Sequence, residues 1–386
     1  MALPAMTRAS VIVKTNNATA LNLAASWTNN VVPGASDVAQ WDATVGNVNN
    51  TTNVLGGSMT WSGIKLVNPA GAITIITNPA GGTLTLGAAG IDMSSATADL
   101  TLSNNVALQA NTVQSWNVPS GRALSLGGAF TRPSGAVMSF SGAGTVNIAG
   151  GTASSLLAYA LVNGTDVGAL DSLNNLSTVS SVLTYIANPA TGVPSSQYMD
   201  MTAPIGATGN DWYITGTTTY YPRALRFNIP QGSRNYWQLY GYKIILLNGN
   251  SGANTILVTT NVGACDVILT GGGSGSASIG MRQTSSGSEF IFDQENTLGS
   301  LYINQGFSVK TLSLTSNMVT KRGAGRLVVN TDLWYAGPTR ILEGELQLNG
   351  ANRDNSVITV NPGATLSGSA VIWTGSVTNG GLIWPG

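Results

Sequence analysis

Along much of the chain two apolar residues stand one position apart, and glycine or asparagine closes the phrase on either side. It occurs as GGTLTLGAAG (81–90), ADLTLSNN (98–105), GRALSLGG (121–128) and GAGTVNIAGG (142–151). It returns as KTLSLTSN (310–317), GRLVVN (325–330) and GELQLNG (344–350). Alternation of period two marks strands with one face turned inward. In the first half the pairs begin at Leu84, Leu100, Leu124 and Val146, at uneven offsets comparable to one coil of a repeat fold. Few Asn-Gly or Asp-Gly turns stand between strands, so the spacing predicts coils stacked as a β-solenoid rather than a sandwich. One coil cannot bury its own inward face, and stability accumulates by stacking. The best helix candidate is SSLLAYALV, 154–162.

Composition agrees with this pattern. Only 8% of residues are charged, against roughly 25% in an average soluble domain. The 43% hydrophobic content argues against disorder, and the 48 glycines lack a collagen period. Sixteen basic residues balance sixteen acidic ones, which excludes nucleic acid as an expected partner and leaves self-association unopposed. No apolar run is long enough for a transmembrane helix, and MALPAMTRAS lacks the apolar core of an intact signal peptide. Histidine is absent, which removes Ser-His-Asp and Cys-His catalysis and nearly all zinc catalysis. The lone Cys265 reads as a small buried residue.

Residues 319–350, VTKRGAGRLVVNTDLWYAGPTRILEGELQLNG, resemble the autotransporter-associated β-strand repeat. Lys321, Gly323, Gly325, Leu327, Tyr335, Gly337, Thr339, Ile341, Gly344, Leu346 and Leu348 fall in its spacing. TALNLAASWTNNVVPGASDVAQWDATV (19–45) and the C-terminal VITVNPGATLSGSAVIWTGSVTNGGLIWPG are similar to stretches of the same large exported proteins. The resemblance implies an all-β, right-handed parallel β-helix from a bacterial extracellular or cell-surface protein, and it is almost silent on activity. The expected organisation is a strand segment over 1–24 and a first solenoid part over 25–152. An irregular aromatic-rich insertion follows over 153–245, and a second solenoid part over 246–386 carries the repeat. GGGSGSASIG (271–280) reads as a turn.

Candidate chemistry is sparse. Asp293 and Glu295 in FIFDQEN, and Glu343 and Glu345 in LEGEL, are i, i+2 carboxylate pairs of the kind a polysaccharide lyase or hydrolase needs, but also of the kind a solvated strand face carries. The segment 211–243 interleaves aromatic and basic residues: Trp212, Tyr213, Tyr220, Tyr221, Arg223, Arg226, Arg234, Tyr236, Trp237 and Tyr240. These cap the core, form a protein interface, or stack on the sugars of a surface glycan. No polar cap is evident at either end. Val11 and Val13 at one end, and Leu366, Trp373, Ile383 and Trp384 at the other, are candidates for head-to-tail assembly with a second copy. Continuation of the chain beyond this sequence covers the same edge equally well. The expected function is a non-enzymatic extracellular structural protein without cofactor or metal that assembles into filaments; a carbohydrate-binding adhesin and a polysaccharide-cleaving enzyme are the rivals.

Overall fold

The computed structural model describes residues 10–77, 81–183, 185–187, 198–201, 211–214, 222–230, 236–241, 245–249, 253–269, 279–283, 289–304, 318–333, 335, 337–351, 357–372 and 375–386. For 185–187, 211–214, 236–241, 245–249 and 279–283 only the backbone is described. The chain is all-β with mainly parallel sheets, and it divides into two units: one comprising residues up to 155 with 170–177, the other 156–169 with 178–386.

In the first unit the chain visits two sheets alternately. One sheet runs Val11–Val13, Val38–Trp41, Met59–Leu66, Thr83–Asp92, Val113–Asn117, Val137–Ser141, each parallel to the next. The other runs Thr52–Val54, Ile73–Ile76, Leu100–Leu102, Ala123–Leu126, Thr145–Ile148. Inward residues fall in register, as in the rows Ile73, Leu100, Leu124, Val146 and Ile75, Leu102, Leu126, Ile148, all buried. The Leu84/Leu86 pair does not belong to these rows. It aligns with Met59/Trp61 on one side and Val106/Leu108 on the other, in the first sheet. The short offset from Leu84 to Leu100 is therefore a change of sheet. At one end Trp27, Trp41 and Trp61 close the core, with ring centroids 5.6–6.1 Å apart. The Trp27 indole donates to Leu21 O at 2.7 Å.

The second unit repeats the scheme. Its first sheet runs Tyr185–Ala187, Tyr198–Met201, Ala224–Phe227, Ala253–Val258, Glu289–Gln294, Met318–Arg322, Thr339–Ile341, Ile358–Val360, Val377–Asn379. Its second runs Asp211–Ile214, Tyr236–Gly241, Asp266–Leu269, Ser300–Ile303, Arg326–Val329, Glu345–Leu348, Thr365–Gly368, Leu382–Pro385. The core column of the second sheet is Val267, Leu301, Leu327, Leu346, Leu366, Ile383. Cys265 is buried in the same core, as its sequence context predicts.

Two expectations need correction. The segment 153–245 is not irregular throughout: among the described residues its strands from Tyr185 onward supply the opening members of both sheets of the second unit. SSLLAYALV is not a helix: Leu156–Val162 is a strand, paired antiparallel with Asp166–Leu170. The connecting Asn163-Gly164 has positive φ at both positions (50° and 70°), the geometry of a tight hairpin turn. The hairpin covers the outer face of the second unit's first sheet, so Leu157, Ala158, Leu161 and Val162 are all buried and the strand loses its alternation. Residues 271–278 and the pair Leu312/Leu314 lie outside the described residues.

Candidate functional site

The structure brings one of the two expected carboxylate pairs together. Phe290, Phe292 and Gln294 alternate with Ile291 and Asp293 along Glu289–Gln294, and the phenylalanines pack in the core. Asp293 therefore lies on the outer face beneath the hairpin, where it is 4% exposed. It stands in register with Arg322, whose Nε is 3.6 Å from Asp293 and 3.8 Å from Glu295. Arg322 also donates to Tyr159 O of the hairpin at 3.4 Å. Burial, then the Asp293 carboxylate beside it, push Glu295 up to about 8. A neutral carboxylic acid beside a second carboxyl group is a general-acid arrangement in principle. Here its partners are an almost wholly buried guanidinium and backbone, which suits an internal ion cluster better than a substrate.

Glu343 and Glu345 diverge. Glu343 accepts from Gly323 N at 3.2 Å across a corner, whereas Glu345 lies on the outer face of the second sheet and accepts from Ser367 Oγ at 2.5 Å. On the inner side of the same corner Lys321 is fully buried. Its Nζ donates to the carbonyls of Arg322, Gly323 and Glu343 at 2.8, 2.6 and 3.2 Å. Burial lowers its amine to about 8.

The Arg-rich segment is not a uniform surface. Arg226 is buried: its Nε donates to Asp200 Oδ1 at 3.0 Å, its Nη1 lies 3.1 Å from Asp166, and Nη1 donates to Thr165 O at 3.2 Å. It thus fastens the hairpin to the sheet and is withdrawn from any outer ligand. Arg223 is half-buried. Trp212, Tyr213, Tyr236, Trp237 and Tyr240 lie on strands whose backbone alone is described. The backbone register sets Tyr236 level with Asp266 and Trp237 level with Val267. Tyr220, Tyr221 and Arg234 lie outside the described residues.

The assembly candidates separate by position. Leu366 is 6% exposed inside the column, with Ile383 beyond it at 41%. Leu382 and Trp384, on the same strand, are 50% and 67% exposed. Leu348, Leu366, Ile372, Val377 and Ile383 line a cavity of about 160 Å³ at this end of the core. Val11 is 51% exposed on the first strand of the first unit's sheet, and Val13 is half-buried. Trp373 lies outside the described residues.

Arg322, Asp200, Arg326 and Tyr302 were not singled out by sequence, since each is a lone residue within an ordinary strand. Only the register, which follows from coil lengths, reveals their neighbours. Among the described residues no three His, Cys, Asp or Glu side chains gather as a metal site, and no helix is long and apolar enough to cross a membrane. No family model, curated protein or solved structure matches the chain.

Proposed function

We propose that the chain is a non-enzymatic structural protein of the bacterial exterior, built as two stretches of parallel β-solenoid and extended by stacking onto a second copy. The observation that carries this reading is the end of the second unit's core column. Its buried members Leu301, Leu327, Leu346 and Leu366 lead to Ile383, which has lost the cover the others share. Leu382–Pro385 pairs on one side only among the described residues, so its ladder groups and apolar surface suit a further parallel strand, whether from a second copy or from further residues of the same chain. Among the described residues the first strand of the other unit, Val11–Val13, likewise pairs on one side, and Val11 is half-exposed. Unlike surfaces that meet head to tail do not close, and they generate filaments. The extracellular placement rests on the sequence resemblance to exported β-helical proteins alone.

The test is sedimentation velocity and negative-stain microscopy of the chain over a range of concentrations, alongside Ile383→Lys. Assemblies that lengthen with concentration, and that the variant suppresses, support the reading. A single monomeric species up to ~1 mM, where even an association of about 4 kcal/mol would show, overturns it.

A further inference from the structure

The outer face of the second unit's second sheet carries a feature that stacking does not use. Asp266, Ser300, Arg326, Glu345 and Thr365 follow one another in register on five successive strands. They line an open groove of about 570 Å³ together with Tyr302. The floor is set by corner glycines, where side chains have no room: a Cβ on Gly299 would meet Cys265 O at 2.1 Å, and one on Gly325 would meet Asn296 O at 2.1 Å. The groove therefore stays bare along its length while its wall is polar. Arg326 Nε donates to Ser300 Oγ at 3.0 Å, which holds the exposed guanidinium along the wall.

We infer that this groove binds a linear, uncharged polysaccharide lying across the strands. Strands repeat every ~4.8 Å, close to the length one pyranose ring adds to an extended chain, so Asp266, Arg326, Glu345 and Thr365 offer polar groups at multiples of the sugar spacing, while the buried Ser300 holds Arg326 in place. Carboxylate, guanidinium and hydroxyl groups in alternation suit the donors and acceptors of sugar hydroxyls, and the half-exposed Tyr302 ring offers a stacking face. A peptide strand is a poorer occupant, because the sheet's ladder groups here are already paired with neighbouring strands on both sides. A polyanion is disfavoured by two carboxylates against one guanidinium. Two-carboxylate glycoside hydrolysis does not fit the distances. Asp266 and Glu345 are three strand spacings apart, ~14 Å, beyond the roughly 5–9.5 Å that separates the carboxyl pair of glycosidases.

The test is affinity electrophoresis of the whole chain in gels containing a soluble mixed-linkage β-glucan, a mannan or polygalacturonate. Retardation by at least one neutral polymer is expected. Arg326→Ala and Tyr302→Ala, checked for unchanged thermal unfolding, should each weaken it at least tenfold. Two variants are used so that misfolding of one leaves the other decisive. No retardation by either neutral polymer, retardation by polygalacturonate alone, or neutral-polymer binding that survives both substitutions would overturn the inference.

Discussion

Replacing Glu295 with Gln should stabilise the protein at neutral pH, although the change removes a charged residue type from an ion cluster. Glu295 is pushed from 4.5 up to about 8 by burial and by Asp293. The folded state therefore keeps its proton over a range where the unfolded chain has released it. Wherever the folded state binds more protons, stability falls as pH rises. The loss begins near pH 4.5, continues to about pH 8 and is complete above it. Each pH unit in that range is worth about 1.4 kcal/mol, so by pH 7 the wild type has lost about 3 kcal/mol relative to pH 4, somewhat less because Glu295 keeps some contact with solvent. Gln at 295 preserves a neutral donor toward Asp293 and loses nothing in this window. The two proteins should unfold alike near pH 4, and the variant should be more stable by about 2–3 kcal/mol at pH 7. Urea unfolding at pH 4, 5.5 and 7 measures this, below the range where Lys321, lowered to about 8, adds a trend of opposite sign. A difference that does not change with pH, or a variant less stable at pH 7, would refute the reasoning.

Arg226→Met leaves Asp166 and Asp200 buried without their guanidinium, and loss of one partner from such a cluster costs about 3–5 kcal/mol. Protease cleavage within 156–169 should appear with it. Gly344→Ala puts a Cβ 2.5 Å from both Gly323 O and Gly325 O at φ +63°; the strain, about 1–3 kcal/mol, should lower the thermal midpoint of the second unit. Trp61→Ala removes a fully buried ring that packs against Trp27 edge-on and against Trp41 at a tilt. A loss of about 3–5 kcal/mol is expected, with a red shift of tryptophan emission as the other two rings gain solvent.

The strands were legible wherever one face meets solvent. Leu100/Leu102, Leu124/Leu126, Leu327/Val329 and Leu346/Leu348 occupy inward rows as their spacing implies. Legibility failed where both faces are buried. In Leu156–Val162 six of seven residues are buried, so the run is continuously apolar and helix and strand read alike. The Asn163-Gly164 turn behind it was present in the sequence as the better signal. Register was harder still. Along the outward row from Asp266 through Ser300, Arg326 and Glu345 to Thr365 the coils are of unequal length, the first much longer than the last two. A fixed period would misalign the groove after one coil. Arg226 draws one carboxylate, Asp200, from the adjacent strand and the other, Asp166, from a hairpin that the sequence pattern concealed.

The buried lysines explain why the most recognisable stretch of sequence is informative about fold and silent on activity. Lys321 interrupts an inward row of Leu225, Ile256, Phe292, Ile341 and Val360, a poor place for a cation. Its three donors match three carbonyls of the turning backbone, each of which would cost about 1–3 kcal/mol if buried unpaired. Lys14 is held in a similar way in the first unit, donating to two backbone carbonyls, Thr15 O and Asn17 O, at 2.8 and 2.7 Å and to the side-chain Oδ1 of Asn17 at 3.0 Å. It too is wholly buried and lowered to about 8. Gly323 at φ +80° and Gly344 at φ +63° permit the corner, and Tyr335 bonds Thr339 across the next one. The residues that fall in the repeat's spacing are thus spent on turning the chain and filling the core. Arg326 and Glu345 lie between them on the outer face, and Tyr302 shares that face on the preceding strand. Recognition of a ligand has to be written there, in side chains that no repeat pattern specifies.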